Sequence, residues 1–247
     1  MKWIFGLFMV YLILGEPLLE TRLFASFVKN KGGAWSRIKM YQKGFKRTWI
    51  TAAVLVVLLK YNKVPFQALG FVPVHWASFF DASFWFKALV IAAFVAYFVY
   101  FYLFAVIMHW FSPKIKAKVV EKLLPFYPVL PSNPKERLWW TINSLSAFIE
   151  EFFYRGFMIF FLLLIFPEMG FWAAAVLSVL LDALRYIGRM KALVYVVYSS
   201  AFFVFFYGVF HSIYVPMIFH IIHDLRVLLM PIQAVHQRLQ MKKGEGK

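Results

Sequence analysis

Apolar runs cover 3–23, 48–62, 84–110, 139–165, 171–187, 192–209 and 213–230, and short polar or basic stretches separate them. Runs of this kind predict helices. Several fall short of the roughly 20 residues that cross a bilayer core, so the shorter ones are expected to tilt or lie partly at the interface. The stretch 28–47 carries seven Lys or Arg and 111–138 carries six, whereas 60–83 has only Lys60 and Lys63. Basic residues collect in cytoplasmic loops. That places 28–47 and 111–138 inside and 63–83 outside, and alternation then puts "FPEMG" (166–170) outside and "GRMK" (188–191) inside. The expectation is about seven spans, with the N-terminus outside and the C-terminus cytoplasmic. Trp3–Leu14 has no small-residue cleavage site behind it and reads as a membrane helix kinked near Glu16-Pro17, not a signal peptide. "LPFYPVLPSNPKER" (124–137), with four prolines, reads as a linker between 1–123, helices with basic cytoplasmic loops, and 124–247, a four-helix region with a basic tail.

Composition agrees with a lipid solvent. Of 247 residues, 63% are hydrophobic and 15% charged, where a soluble domain is about half apolar and a quarter charged. The fold class is therefore all-α, a polytopic transmembrane helical bundle, and the location an integral one, in the plasma membrane. A net charge of +16 is explained by loops that meet anionic headgroups, so the expected partners are membrane lipids and no nucleic acid. With no Cys there is no disulfide, thiol nucleophile or thiolate metal site.

Against this background, charges inside apolar runs stand out, since each costs about 2.5–3.5 kcal/mol at the bilayer centre. "SAFIEEFFYRGFMIFF" (146–161) carries Glu150, Glu151 and Arg155. Glu151 and Arg155 are four apart with the acid first, the favourable order for a helical pair. Glu150 points about 100° away, a candidate general base. "HIIHDLR" carries His220, His223, Asp224 and Arg226. His220 and Asp224 share a face, and the topology lets His220 meet Glu150 near mid-depth; His223 is a possible auxiliary. Asp182 and Arg185, three apart, read as a pair that snorkels to the cytoplasmic interface. His75, His109, His211 and His236 fall near loops or helix ends. Two His and a Glu can ligate zinc, but His220 and His223 are three apart where a HExxH helix has four. No cofactor is expected, and a divalent metal stays open.

Glu150-Glu151-x-x-x-Arg155-Gly156, preceded by "LPSNPKERLWWTINSLSAFI", resembles the first motif of the CAAX prenyl protease and bacteriocin-processing (CPBP, Abi-type) membrane proteases. "SIYVPMIFHIIHDLR" resembles their last motif, His-x-x-x-Asn/Asp. The resemblance spans 124–230. It implies glutamate-dependent intramembrane hydrolysis of a peptide or protein substrate: Glu150 as base, Glu151 and Arg155 setting its orientation and charge, His220 and Asp224 steadying the oxyanion. The family's middle motif, Phe-x-x-x-His, falls on Leu181–Arg185, where the histidine position holds Arg185. That departure raises an alternative, a catalytically impaired relative serving as a membrane peptide-binding, immunity or scaffold protein. A third reading, proton-coupled transport through Glu150 and His220, lacks the paired repeats of transporters.

Overall fold

Pro17 lies inside the first apolar run, and a π-turn at Tyr11–Gly15 precedes it without interrupting the helix. Proline has no N–H and crowds the carbonyl four residues back, and the wider turn accommodates both. The first helix, α1, therefore runs through 2–29. The computed structural model describes residues 2–29, 34–186 and 190–244. Besides a short helical turn at Trp76–Phe80, the helices that follow are α2 (Ala34–Tyr61), α3 (84–111), α4 (Pro113–Leu123), α5 (Pro134–Ile165), α6 (Gly170–Ala183), α7 (Met190–Phe210), α8 (Tyr214–Leu229) and α9 (Ile232–Gly244). Among the described residues there is no strand.

Among the described residues, three helical stretches are long and apolar enough to cross a membrane: Lys2–Phe27, Phe84–Leu103 and Leu193–Phe210. Two bent pairs, α5 with Pro167–Ala183 at 110° and α8 with Ile232–Met241 at 47°, bring the total to five if each is one span. Seven were expected. The difference has physical causes. In α2 the basic residues between Arg37 and Arg47 continue the helix 14 residues ahead of the apolar run, so only its second half is lipid-like. Elsewhere, the charges of α5 and the short α6 and α8 dilute or divide the apolar length.

The axis of the bundle is α5. Phe152, Phe153, Tyr154, Arg155, Gly156 and Phe157 are all buried, because this stretch has neighbours on every side and its one charge, Arg155, is paired. α1 packs Phe5 and Phe8 edge-on against Phe157. α6 approaches through the small residues Ala174 and Ala175. A second cluster joins Val90, Tyr97 and Phe101 of α3 to Phe202, Phe203 and Phe206 of α7.

Two glycines set close approaches. A side chain at Gly156 would come within 2.9 Å of Ile213 Cδ1 and 3.2 Å of the Leu69 carbonyl. Gly70 has φ +84° and lies against Tyr207. Its carbonyl accepts from Ile213 N at 2.9 Å, while His75 N donates to Phe210 O at 3.1 Å. The connection 62–83 is thus fastened to the α7–α8 turn.

At the other end, the proline-rich 124–133 is more than a tether. Arg37 Nε donates to Pro128 O at 2.9 Å and Tyr41 Oη to Val129 O. Asn133 caps α5 by accepting from Glu136 N at 2.9 Å, with Pro134 at the first helical position.

Gly156→Ala should lower the folded-state stability by about 1–3 kcal/mol through overpacking. Gly6→Ala, whose nearest neighbour would be 3.7 Å away, should be close to neutral. Thermal unfolding of both variants in the same detergent measures the difference.

Candidate active site

Arg155 organises the polar centre. Its side chain is 1% exposed, and its Nε lies 3.2 Å from Glu151 Oε2, one turn earlier on α5. Its Nη1 donates to Asp182 Oδ2 of α6 at 3.1 Å, and the same oxygen accepts from Ser200 Oγ of α7 at 2.9 Å. Phe203 of α7 covers the guanidinium, 5.9 Å from ring centre to Cζ. A buried cation requires this much compensation, and it comes from three helices.

Glu151 faces two ways. Oε2 meets Arg155, and Oε1 bonds Nδ1 of His220 on α8 at 2.7 Å. The imidazole stacks on Phe203 with ring centres 4.8 Å apart. Its Nε2 lies 4.0 Å from Asp224 Oδ1 on the next turn. Glu151 is sealed, whereas the side chains of His220 and Asp224 are 16% and 37% exposed. The dyad is therefore anchored on its buried side and reachable on the other.

Glu150 occupies the adjacent face of α5, within electrostatic range of His220 and Asp224. It lines a partly open hollow of about 220 Å³ between α1, α2 and α5. The sequence anticipated Glu150 opposite His220; the direct contact belongs to Glu151, because the rotation of α5 that buries Arg155 carries Glu151 toward α8.

Two other expectations change. His223 does not turn toward the carboxylates. Its Nδ1 is held by Tyr97 and its Nε2 by Tyr195, and Arg226 Nη1 approaches Nδ1 at 3.1 Å. Its ring centre is 6.4 Å from that of His220. Successive i,i+3 positions diverge by about 60°, enough to put His223 into the α3–α7 aromatic cluster. Asp182 serves Arg155 and Ser200 across helices. Arg185 sits in the 3₁₀ turn Leu184–Tyr186, and its side chain lies outside the described ones. Asp182 and Ser200 are the site residues that sequence reasoning left out.

His75 and His211 lie at the α7–α8 turn, and His236 pairs with Tyr127 at 2.6 Å, so neither group joins the centre. Among the described residues no three His, Asp or Glu converge as a metal site.

Glu150, Glu151, Arg155, His220 and Asp224 lie on two facing helices, and a comparison with known families bears on that segment. Residues 135–226 match the family model described as Rce1-like, type II CAAX prenyl endopeptidase Rce1-like. Over those residues the chain is similar to that family. The Rce1-like segment contains α5 to α8 almost entirely, and with them every carboxylate and imidazole of the polar centre. The similarity is to a protease family, and the apolar helices are those of an integral membrane protein. No curated protein and no solved structure matches the chain.

Removing one member of the buried Rce1-like network should be costly. Asp182→Leu leaves Arg155 a carboxylate short and should destabilise by about 3–5 kcal/mol. Asp182→Asn keeps acceptors for Arg155 and Ser200 and should cost less. Detergent-phase thermal unfolding, followed by tryptophan fluorescence, ranks the two.

Proposed function

We propose that the protein is a glutamate-dependent intramembrane endopeptidase that cuts a peptide bond close to the cytoplasmic leaflet. The observation that carries this reading is the 2.7 Å contact between Glu151 Oε1 and His220 Nδ1, which ties the EExxxR helix to the HxxxD helix. Its substrate class is membrane-associated peptide, prenylated or of the bacteriocin-leader kind. The protein sits in the plasma membrane with the N-terminus outside and the C-terminus cytoplasmic, as the basic loops favour.

In this scheme Glu150 takes a proton from a water at the edge of the hollow. The hydroxide adds to the scissile carbonyl carbon, and the carbonyl oxygen becomes an oxyanion. In its imidazolium form His220 donates Nδ1–H to Glu151 and keeps Nε2–H to stabilise that oxygen, with Asp224 on the same exposed edge. Glu150 then returns its proton to the departing amine as the C–N bond breaks. Arg155 and Asp182 are positioning residues: they fix the Glu151 carboxylate, and through it the imidazole. The scheme uses no metal.

A second reading keeps the fold and loses the chemistry. Arg185 stands where the family motif has a histidine, and arginine cannot act as a base. A peptide-binding, immunity or scaffold role would follow.

Purified protein in detergent, given membrane-peptide substrates, separates the readings. Glu150→Gln should reduce turnover by about 10²–10⁴-fold, the usual worth of a general base. His220→Ala should cost about 10²–10³-fold. A silent wild type that gains cleavage as Arg185→His would establish the second reading, and equal turnover in wild type and Glu150→Gln would overturn the first.

A further inference from the structure

His223 is buried, 4% exposed, and takes no part in the proposed reaction. Its partners fix its tautomer. Arg226 Nη1 lies 3.1 Å from Nδ1, and a guanidinium only donates, so Nδ1 accepts and carries no proton. Tyr97 Oη meets the same nitrogen and is likewise a donor there. The ring proton is therefore on Nε2, which donates to Tyr195 Oη. One imidazole on α8 is thus joined through its two nitrogens to α3 and to α7.

This clamp has leverage that the other polar contacts of α8 lack. The Glu151 bond is to the very ring whose aim is at issue. Trp140 Nε1 of α5 donates to the Asp224 carbonyl at 3.1 Å, but a backbone carbonyl lies close to the helix axis and resists rotation weakly. Side chains extend about 5–6 Å from the axis, so turning α8 by about 10° moves an imidazole by about 1 Å. A misplacement of that size can cost about 10²-fold in rate. Phe203 of α7 couples the two rings directly, stacked on His220 with centres 4.8 Å apart and edge-on to His223 at 5.7 Å.

We propose that His223 is a positioning residue: clamped between Tyr97 and Tyr195, it sets the rotation of α8 and with it the direction in which His220 offers Nε2 to a substrate. The proposal rests on the reading of His220 as the group that meets the oxyanion. His223 itself touches no substrate, since both its nitrogens are bonded and its ring is enclosed by Tyr97, Phe101, Tyr195 and Phe203. Tyr97 lies outside residues 135–226, so α3 supports the polar centre from beyond the Rce1-like segment.

The test separates aim from stability. Tyr97→Phe combined with Tyr195→Phe removes both hydroxyls and keeps both rings. Val90→Ala loosens the same α3–α7 cluster without removing a hydrogen bond. Each variant is made as full-length protein with isotope-labelled histidine in detergent, and a cooperative thermal transition confirms that it folds. If the double variant does not fold, Tyr195→Phe alone, at a half-buried position, is read the same way. Magnetic resonance of the imidazole nitrogens is assigned with His220→Gln and His223→Phe. In the wild type His223 should show one bare and one protonated nitrogen. The His220 nitrogen resonances should shift or broaden in the tyrosine variant and stay in place in Val90→Ala. On a cleavable membrane peptide the tyrosine variant should lose about 10–100-fold in kcat, with KM changed by less than about twofold, while Val90→Ala should change neither by more than about twofold. Unmoved His220 resonances in the tyrosine variant, a doubly protonated His223, or an equal loss of kcat in Val90→Ala would overturn the proposal. A silent wild type whose His220 resonances still respond to the tyrosine variant keeps the positioning role and removes the protease. Full kcat in the tyrosine variant does the reverse.

Discussion

A guanidinium at the centre of a hydrocarbon-packed bundle must be neutralised before anything else can be arranged around it. Arg155 meets this requirement with Glu151 on its own helix and Asp182 on the next, and Ser200 holds Asp182 from a third. Each partner is fixed by the demand of the one before. Glu151 has one oxygen left over, and it orients His220 on α8. The placement of the exposed imidazole edge is therefore a consequence of where a buried charge finds its counterions. Replacing such a network by apolar residues is often neutral or stabilising for folding, so its retention here fits a role in aiming groups.

Backbone irregularity occurs beside this network. The π-helical stretch Phe152–Phe157 begins directly after Glu151 and contains Arg155. A wide turn shifts the angular phase of everything after it, so Arg155 and the residues that follow are rotated relative to Glu150 and Glu151. On the far side of α8, Arg226 shows a different solution to charge burial. Its guanidinium lies 4.7 Å from the Phe101 ring centre and 5.4 Å from that of Tyr195, with His223 at 3.1 Å. Ring faces and one imidazole do there what two carboxylates do for Arg155.

Much of this was legible in the sequence, to differing depth. Apolar runs located α3, α5, α6, α7 and α8 to within a few residues at most ends, because in lipid every backbone polar group must be satisfied within its own segment; α4 and α9 fall in stretches read as a basic loop and a basic tail. α2 extended well past its apolar run because basic residues with good helix propensity continue a helix into water. The Glu151–Arg155 pair followed from spacing alone. Which glutamate would meet His220 did not, since adjacent residues differ by 100° and the rotation of α5 is set by its contacts with α1, α6 and α8. The role of Asp182 was hidden for the same reason: a nearby Arg185 offered a local partner, and only tertiary packing presents Arg155. His223 was misjudged because nothing local announces that Tyr97, 126 positions earlier, will reach it.

The hollow beside Glu150 has two walls of different origin. One is α5, inside the family segment 135–226; the other comes from α1 and α2, with Glu16, Glu20 and Arg47, well outside it. Substitutions between residues 16 and 48 can therefore remodel one wall of this chamber while the ionic scaffold on α5 to α8 stays untouched. Diversification and conservation are free to proceed on separate stretches of one polypeptide.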